Sequence, residues 1–157
     1  MIIPAFVPLL SRRDSHRRSF RMFEDTDALR ILLADDQAQV RSALRLLLEQ
    51  EPWFVVVGEA VKANELLDQL QVTHADVLLL DWELPGQPAQ QMVELLFDLR
   101  SIYPELKIVA LSGRPEARRS ALEAHVDGFI SKGDPPESVL ITLSPMTAAI
   151  KQRCMPV

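Results

Sequence analysis

The stretch Val77-Leu78-Leu79-Leu80-Asp81 sets the reading of the whole chain. Its apolar residues run without polar alternation, the habit of a central strand covered on both faces of a parallel sheet. The run closes on a carboxylate, and ligands of open α/β sheets sit beyond the carboxyl ends of the strands. Glu83-Leu84-Pro85-Gly86 then supplies turn chemistry. Asp81 is therefore expected on a loop edge at the mouth of a crevice. Taken alone, it could equally end a strand or cap the next helix, since position in a fold is not function.

Outward from this run, strand and helix signals alternate. Arg30 to Ala34 is a short apolar run closing on Asp35-Asp36. Gln37 to Glu51 carries Val40, Ala43, Leu44, Leu47 and Leu48 at helical spacing, and Pro52 stops it. Phe54 to Val57 reads as a strand, and Asn64 to Val72 as a short helix with Leu66, Leu67 and Leu70 on one face. After Asp81, Gln90 to Ile102 repeats the helical signal with Met92, Leu95, Leu96 and Leu99. Lys107 to Leu111 is a fourth strand, ending at Ser112-Gly113, and Glu116 to His125 a modest helix. Gly128 to Ser131 is a fifth strand, ending at Lys132. Pro135-Pro136-Glu137 opens a last helix, since proline suits a first turn, and Pro145 predicts its kink or end near Ser144. Five alternations argue an α/β fold, a doubly wound parallel sheet with right-handed crossovers.

The chain of 157 residues fits one domain with tails. Residues 1–27 are expected to be a disordered extension, 28–144 the folded domain and 145–157 a loose tail. Hydrophobic content of 48% suffices for a core, and the net charge of −5 argues against bulk attraction to nucleic acid or anionic membrane. Cys154 is the single cysteine, so no disulfide can form within the chain, which suits a cytoplasmic location. No apolar run approaches the length of a membrane span. The segment from Met1 to Leu10 is mostly apolar and is followed by five arginines between Arg12 and Arg21. That order is the reverse of a secretory signal. A transit peptide or a membrane-surface patch is a weaker alternative to a tail, or to translation starting at Met22.

The chemistry collects at strand ends. Asp35, Asp36, Asp81, Ser112 and Lys132 each close or follow a strand, and in a parallel sheet these ends share one edge. Three carboxylates brought together repel, and a hard, partly hydrated divalent cation such as Mg²⁺ is the natural compensation. Lys132 adds a point charge, and Ser112 a hydroxyl that can donate to an anionic oxygen. Carboxylates, Mg²⁺, a lysine and a hydroxyl together make a phosphoryl-transfer site.

On the motifs Leu32-Leu33-Ala34-Asp35-Asp36, Leu78-Leu79-Leu80-Asp81 with Leu84-Pro85, Val109-Ala110-Leu111-Ser112-Gly113 and Gly128-Phe129-Ile130-Ser131-Lys132, the chain resembles the receiver domain of bacterial two-component response regulators. The resemblance spans about Arg30 to Leu143. Gly128 to Gly133 looks like the subgroup that usually carries a C-terminal LuxR-type helix-turn-helix domain. The resemblance implies a flavodoxin-like sheet of strand order 2-1-3-4-5. It implies that Asp81 takes a phosphoryl group from the phosphohistidine of a sensor histidine kinase or phosphotransfer protein. Asp36 and Asp81 would hold Mg²⁺ directly, Asp35 through a water, with the Glu83 backbone carbonyl as a further ligand. Lys132 and Ser112 would meet the phosphoryl oxygens. Phe129 stands where the family places its aromatic switch. The switching surface would be the face of the fourth helix, fifth strand and fifth helix. Such a module is a signalling phosphoacceptor, not an enzyme acting on other substrates, and it docks on protein partners, a second copy among them.

Departures from the family pattern are Ala89 in place of a usual glycine, Gly133 after Lys132 in place of proline, and His125-Val126 in place of a frequent Gly-Ala pair. Only 14 residues follow Leu143, so docking, or an output domain lost or cut away, is expected in place of sequence-specific DNA binding. His16, His74 and His125 show no metal-ligand spacing, and Arg114, Arg118 and Arg119 read as a solvated helix face. Trp53 and Trp82 read as packing residues. Two other functions stand beside the first. One is a receiver-like interaction module that works without phosphorylation. The other is a small phosphatase or phosphotransferase, in which Glu83, two residues after the nucleophile, would be the second acid.

Overall fold

The computed structural model describes residues 28–86 and 89–148. Five strands, β1 (Leu29–Ala34), β2 (Phe54–Ala60), β3 (Val77–Asp81), β4 (Lys107–Ser112) and β5 (Gly128–Ser131), form one parallel sheet. Its order is β2-β1-β3-β4-β5, so β3 lies at the centre, and all of its residues are buried. The connections are helices α1 (Ala38–Glu49), α2 (Ala63–Thr73), α3 (Ala89–Ile102) and α4 (Ala117–Glu123), and α5 (Glu137–Leu143) follows β5. This is the doubly wound, flavodoxin-like arrangement expected from the alternation and the resemblance.

Strand side chains alternate between the two faces, and the core divides accordingly. Leu32, Ala34, Leu78, Leu80, Ile108 and Ala110 pack with Leu66 and Leu70 of α2 and with Met92, Leu95, Leu96 and Leu99 of α3. Ile31, Leu33, Val77, Leu79, Val109, Leu111 and Ile130 pack with Leu44 and Leu48 of α1 and with Val139 and Leu143 of α5. Both faces are covered by helices, and every β3 residue before Asp81 is apolar and buried.

Several expectations are refined. β2 runs on through Gly58-Glu59-Ala60 because Glu59 is matched in charge, by Arg41 at 3.0 Å and Arg45 at 2.8 Å. Leu67 was expected on the buried face of α2 but is 40% exposed, and Trp53 is 52% exposed, whereas Trp82 packs in the core. His74 and His125 take the left-handed conformation (φ 49° and 60°), where glycine is the easier residue. Gly86 sits at φ 96°, which requires glycine in the loop after β3. The loop at 87–88, the extension 1–27 and residues 149–157, with Cys154 and His16, lie outside the described residues. The α5 helix ends at Leu143 and the backbone tightens into a 3₁₀ turn, Ser144–Thr147, as Pro145 implied. No cis peptide bond occurs among the described residues.

Candidate functional site

Backbone pairing brings the strand ends together. Ala34 is in register with Leu80, which sets Asp35 beside Asp81. Ser112 is in register with Ser131, so Lys132 follows at the same edge. Hydrogen bonds carry the ladder one residue past each end: Trp82 N–H donates to Leu111 O at 2.8 Å, and Lys132 N–H to Ser112 O at 2.9 Å. The side chains at this edge are therefore placed by rigid elements.

Asp35, Asp36 and Asp81 converge, with ligand oxygens all within 4.8 Å of one another. Asp35 and Asp81 are each 1% exposed, while Asp36 lies at the surface. Asp35 Oδ1 accepts the Gln37 N–H at 2.8 Å and so fixes the entry into α1. Asp35 Oδ2 accepts no aligned hydrogen bond; its partner is the Lys132 ammonium at 2.8 Å, as an ion pair. Lys132 Nζ lies 3.4 Å from Asp81 Oδ2 and so bridges the two buried acids. Asp81 Oδ1 accepts the Glu83 N–H at 3.0 Å. Ser112 is fully buried, and its Oγ lies 2.5 Å from Glu83 Oε1 while accepting the Arg114 N–H at 3.0 Å.

Burial pushes the Asp81 carboxyl up. The Glu83 N–H and Lys132 oppose this, whereas the Asp35 charge and the Glu83 side chain add to it, and the group titrates at about 7. Burial pushes the Lys132 ammonium down, but Asp35 and Asp81 outweigh it and hold the group above its ordinary value. Lys132 therefore stays charged at neutral pH. One cation faces three acids, so the cluster carries surplus negative charge that Lys132 alone does not cancel. The donors are all oxygens, one of the acids opens to solvent, and a buried carboxylate oxygen lacks an aligned donor. That set fits a hard divalent cation such as Mg²⁺.

The structure thus brings together Asp35, Asp36, Asp81, Ser112 and Lys132. Phe129 lies on β5, partly buried, with the Arg118 guanidinium 5.9 Å from its ring centroid. Arg118 is therefore not simply a solvated residue, whereas Arg119 is exposed and pairs with Glu123. Two participants escaped the sequence. Glu83 was expected to act through its carbonyl, yet its side chain reaches Ser112, and only its spacing from Asp81 hinted at this. Arg41 donates to the Asp35 carbonyl at 2.8 Å from within α1, a contact that no sequence signal marks.

Residues 31–143 match the response regulator receiver domain family. The chain is 28% identical over 113 residues to the nitrate/nitrite response regulator protein NarL of Escherichia coli K12, covering 72% of this chain and 52% of that protein. It is 28% identical over 110 residues to the transcriptional regulatory protein RcsB of the same strain, covering 69% and 51%. Among solved structures, the isolated REC domain of RcsB from Salmonella enterica serovar Typhimurium, in the presence of phosphomimetic BeF3⁻, is similar at 26% identity. The TM-score is 0.63, with 83% of this chain and 92% of that chain covered. A LuxR-family two-component response regulator from Aurantimonas sp. SI85-9A1 is similar at 27% identity and a TM-score of 0.68, with 78% and 86% covered. The chain spans about half the length of the curated relatives it matches.

Proposed function

The chain belongs to the response regulator receiver domain family, and from that premise we propose that Asp81 accepts a phosphoryl group from the phosphohistidine of a sensor histidine kinase or phosphotransfer protein. Receivers of response regulators are signalling modules of two-component systems, and the proposal assigns this chain's residues their parts. An Asp81 carboxylate oxygen attacks phosphorus in line with the departing imidazole nitrogen. The P–N bond breaks, the imidazole keeps the electron pair, and an aspartyl phosphate forms.

The observation that carries this reading is the bridge from Lys132 Nζ to Asp35 and Asp81, with Asp36 at the open side. The Lys132 ammonium carries three N–H donors and can turn one to a phosphoryl oxygen. Asp36 and Asp81, the Glu83 carbonyl, and Asp35 through a water would hold Mg²⁺. When bound, the cation neutralises negative charge on the oxygens being transferred. Ser112 takes a phosphoryl oxygen as hydrogen-bond acceptor once the group has arrived. Phe129 and Arg118, on β5 and α4, would carry the change to a docking face for protein partners, a second copy of the chain among them. Dimers of RcsB are known from a solved structure of two such dimers on two parallel DNAs.

The test is incubation with a small phosphodonor and Mg²⁺. One phosphoryl group should be added per chain, stable to acid and labile to base, and Asp81→Asn should abolish it. Labelling that persists in that variant would move the acceptor elsewhere.

A further inference from the structure

Glu83 is an exposed residue whose side chain bends back into the site. Its Oε1 meets the hydroxyl of a serine that has no solvent exposure, at 2.5 Å. Glu83 is held in a short turn after β3: its N–H is held by Asp81 Oδ1, and the Leu84 N–H by Asp81 O at 3.1 Å. The carboxylate also stands against the Asp81 side chain, where it adds to the upward push on that carboxyl. A serine hydroxyl has one proton to donate. Here Glu83 Oε1 at 2.5 Å is the nearer of two acceptors for that proton, the Arg114 carbonyl lying at 3.4 Å, while the Arg114 N–H occupies a lone pair of the same oxygen.

We propose that the Glu83 carboxylate is an internal occupant of the phosphoryl position, clasping the Ser112 hydroxyl against the Asp81 side chain until an incoming anion displaces it. The inference rests on the acceptor role proposed for Asp81. Two anions cannot share this space: an oxyanion on Asp81 needs the Ser112 proton, and its charge repels a carboxylate beside it. Glu83 therefore raises the threshold for occupation of the site. The clasp opens only for an anion that brings enough binding free energy of its own, from Lys132 and from the acidic cluster when neutralised.

The experiment measures binding of beryllofluoride, a phosphoryl stand-in that a carboxylate oxygen coordinates in place of a solvent ligand. Trp82 fluorescence reports it in a Trp53→Phe background at saturating Mg²⁺. Mg²⁺ affinity is titrated separately for each variant, so that a change in metal binding is not mistaken for opening of the clasp. Glu83→Ala should bind beryllofluoride about tenfold more tightly, the scale of one lost hydrogen bond to a charged group. Glu83→Gln, which keeps the side-chain length and removes the charge, should fall between. In a Ser112→Ala background, the gain from Glu83→Ala should shrink to roughly threefold or less, because the clasp is already gone. Equal affinity in wild type and Glu83→Ala overturns the clasp and leaves the acceptor assignment intact. An undiminished gain without Ser112 also overturns it, showing charge repulsion alone. No response in any variant, with Asp81→Asn behaving like wild type, overturns the acceptor assignment and the clasp with it.

Discussion

Asp81→Asn should stabilise the fold when no divalent cation is present, and by more at high pH than at low. Asp81 is 1% exposed, and its carboxyl titrates at about 7 in the folded protein against an ordinary value of 3.8. Between those limits the folded chain holds a proton that the unfolded chain releases. Stability must then fall as pH rises through the window from about 4 to about 7, and level off above it. Lys132 does not blur this window. Its folded value is raised, so its contribution is full below its ordinary value of 10.5 and is lost only at more alkaline pH.

The displacement corresponds to about 4 kcal/mol at 1.36 kcal/mol per unit. Asparagine keeps the shape, removes the charge and does not titrate. The attraction of Lys132 for this carboxylate, at 3.4 Å, already opposes the rise and is contained in that value. The gain should therefore be about 4 kcal/mol at pH 7.5 and about 1 kcal/mol at pH 4.5. Urea unfolding in EDTA, followed by far-ultraviolet circular dichroism at half-unit steps of pH, measures the difference directly. A gap between wild type and variant that stays flat over this window would refute the reasoning, because it would show that Asp81 is not the group titrating.

Asp36→Asn should weaken Mg²⁺ binding by roughly tenfold or more with little change in folding, as read by Trp82 quenching in a Trp53→Phe background. Unchanged Mg²⁺ affinity would remove Asp36 from the ligand set. His125→Gly should raise stability by about 0.5–1 kcal/mol, since φ is 60° there and a β-carbon is strained in that region; thermal unfolding decides it. Phosphorylation should alter affinity for a protein surface and not for a DNA sequence in this 157-residue chain. In gel shifts at about 150 mM salt, selective retention of one genomic fragment that depends on phosphorylation would contradict that expectation.

The fold was legible because the strands are short apolar runs with punctuated ends. What these runs do not reveal is which residue faces which layer. Ile31 and Leu32 are both apolar and both fully buried, yet they belong to opposite cores. The same ambiguity misplaced Leu67: adjacent leucines lie about 100° apart on a helix, and only packing against the sheet selects Leu66. Glu59 hid the last residues of β2, since a charge in a strand reads as its end unless the arginines that match it are visible. The strand-end residues were legible for a topological reason, because a parallel sheet delivers every carboxyl end to one edge. The side-chain clasp between Glu83 and Ser112 was not. It depends on the path of a loop whose turn chemistry says only that the chain reverses.

The register of the sheet gives Ser112 a direct relation to the surface. Ser112 pairs with Ser131 and Ala110 with Phe129, so the serine and the phenylalanine stand on the same face of adjacent strands, two residues apart. That face packs against α2, α3 and α4, and Arg118 of α4 lies over the Phe129 ring. If this hydroxyl trades Glu83 for a phosphoryl oxygen, the partly buried Phe129 ring on the adjacent strand is placed to respond. Arg118 adds an attraction of about 0.5–1 kcal/mol for the ring as it now stands, on the scale of exposed cation–π pairs. Arg118→Ala should therefore loosen Phe129 in the unphosphorylated chain. The ring's aromatic resonances, followed by NMR with and without beryllofluoride, should then differ less between the two states than in wild type. An unchanged difference would mean that Arg118 does not hold the resting position, and that any coupling from Ser112 to the surface runs through other residues.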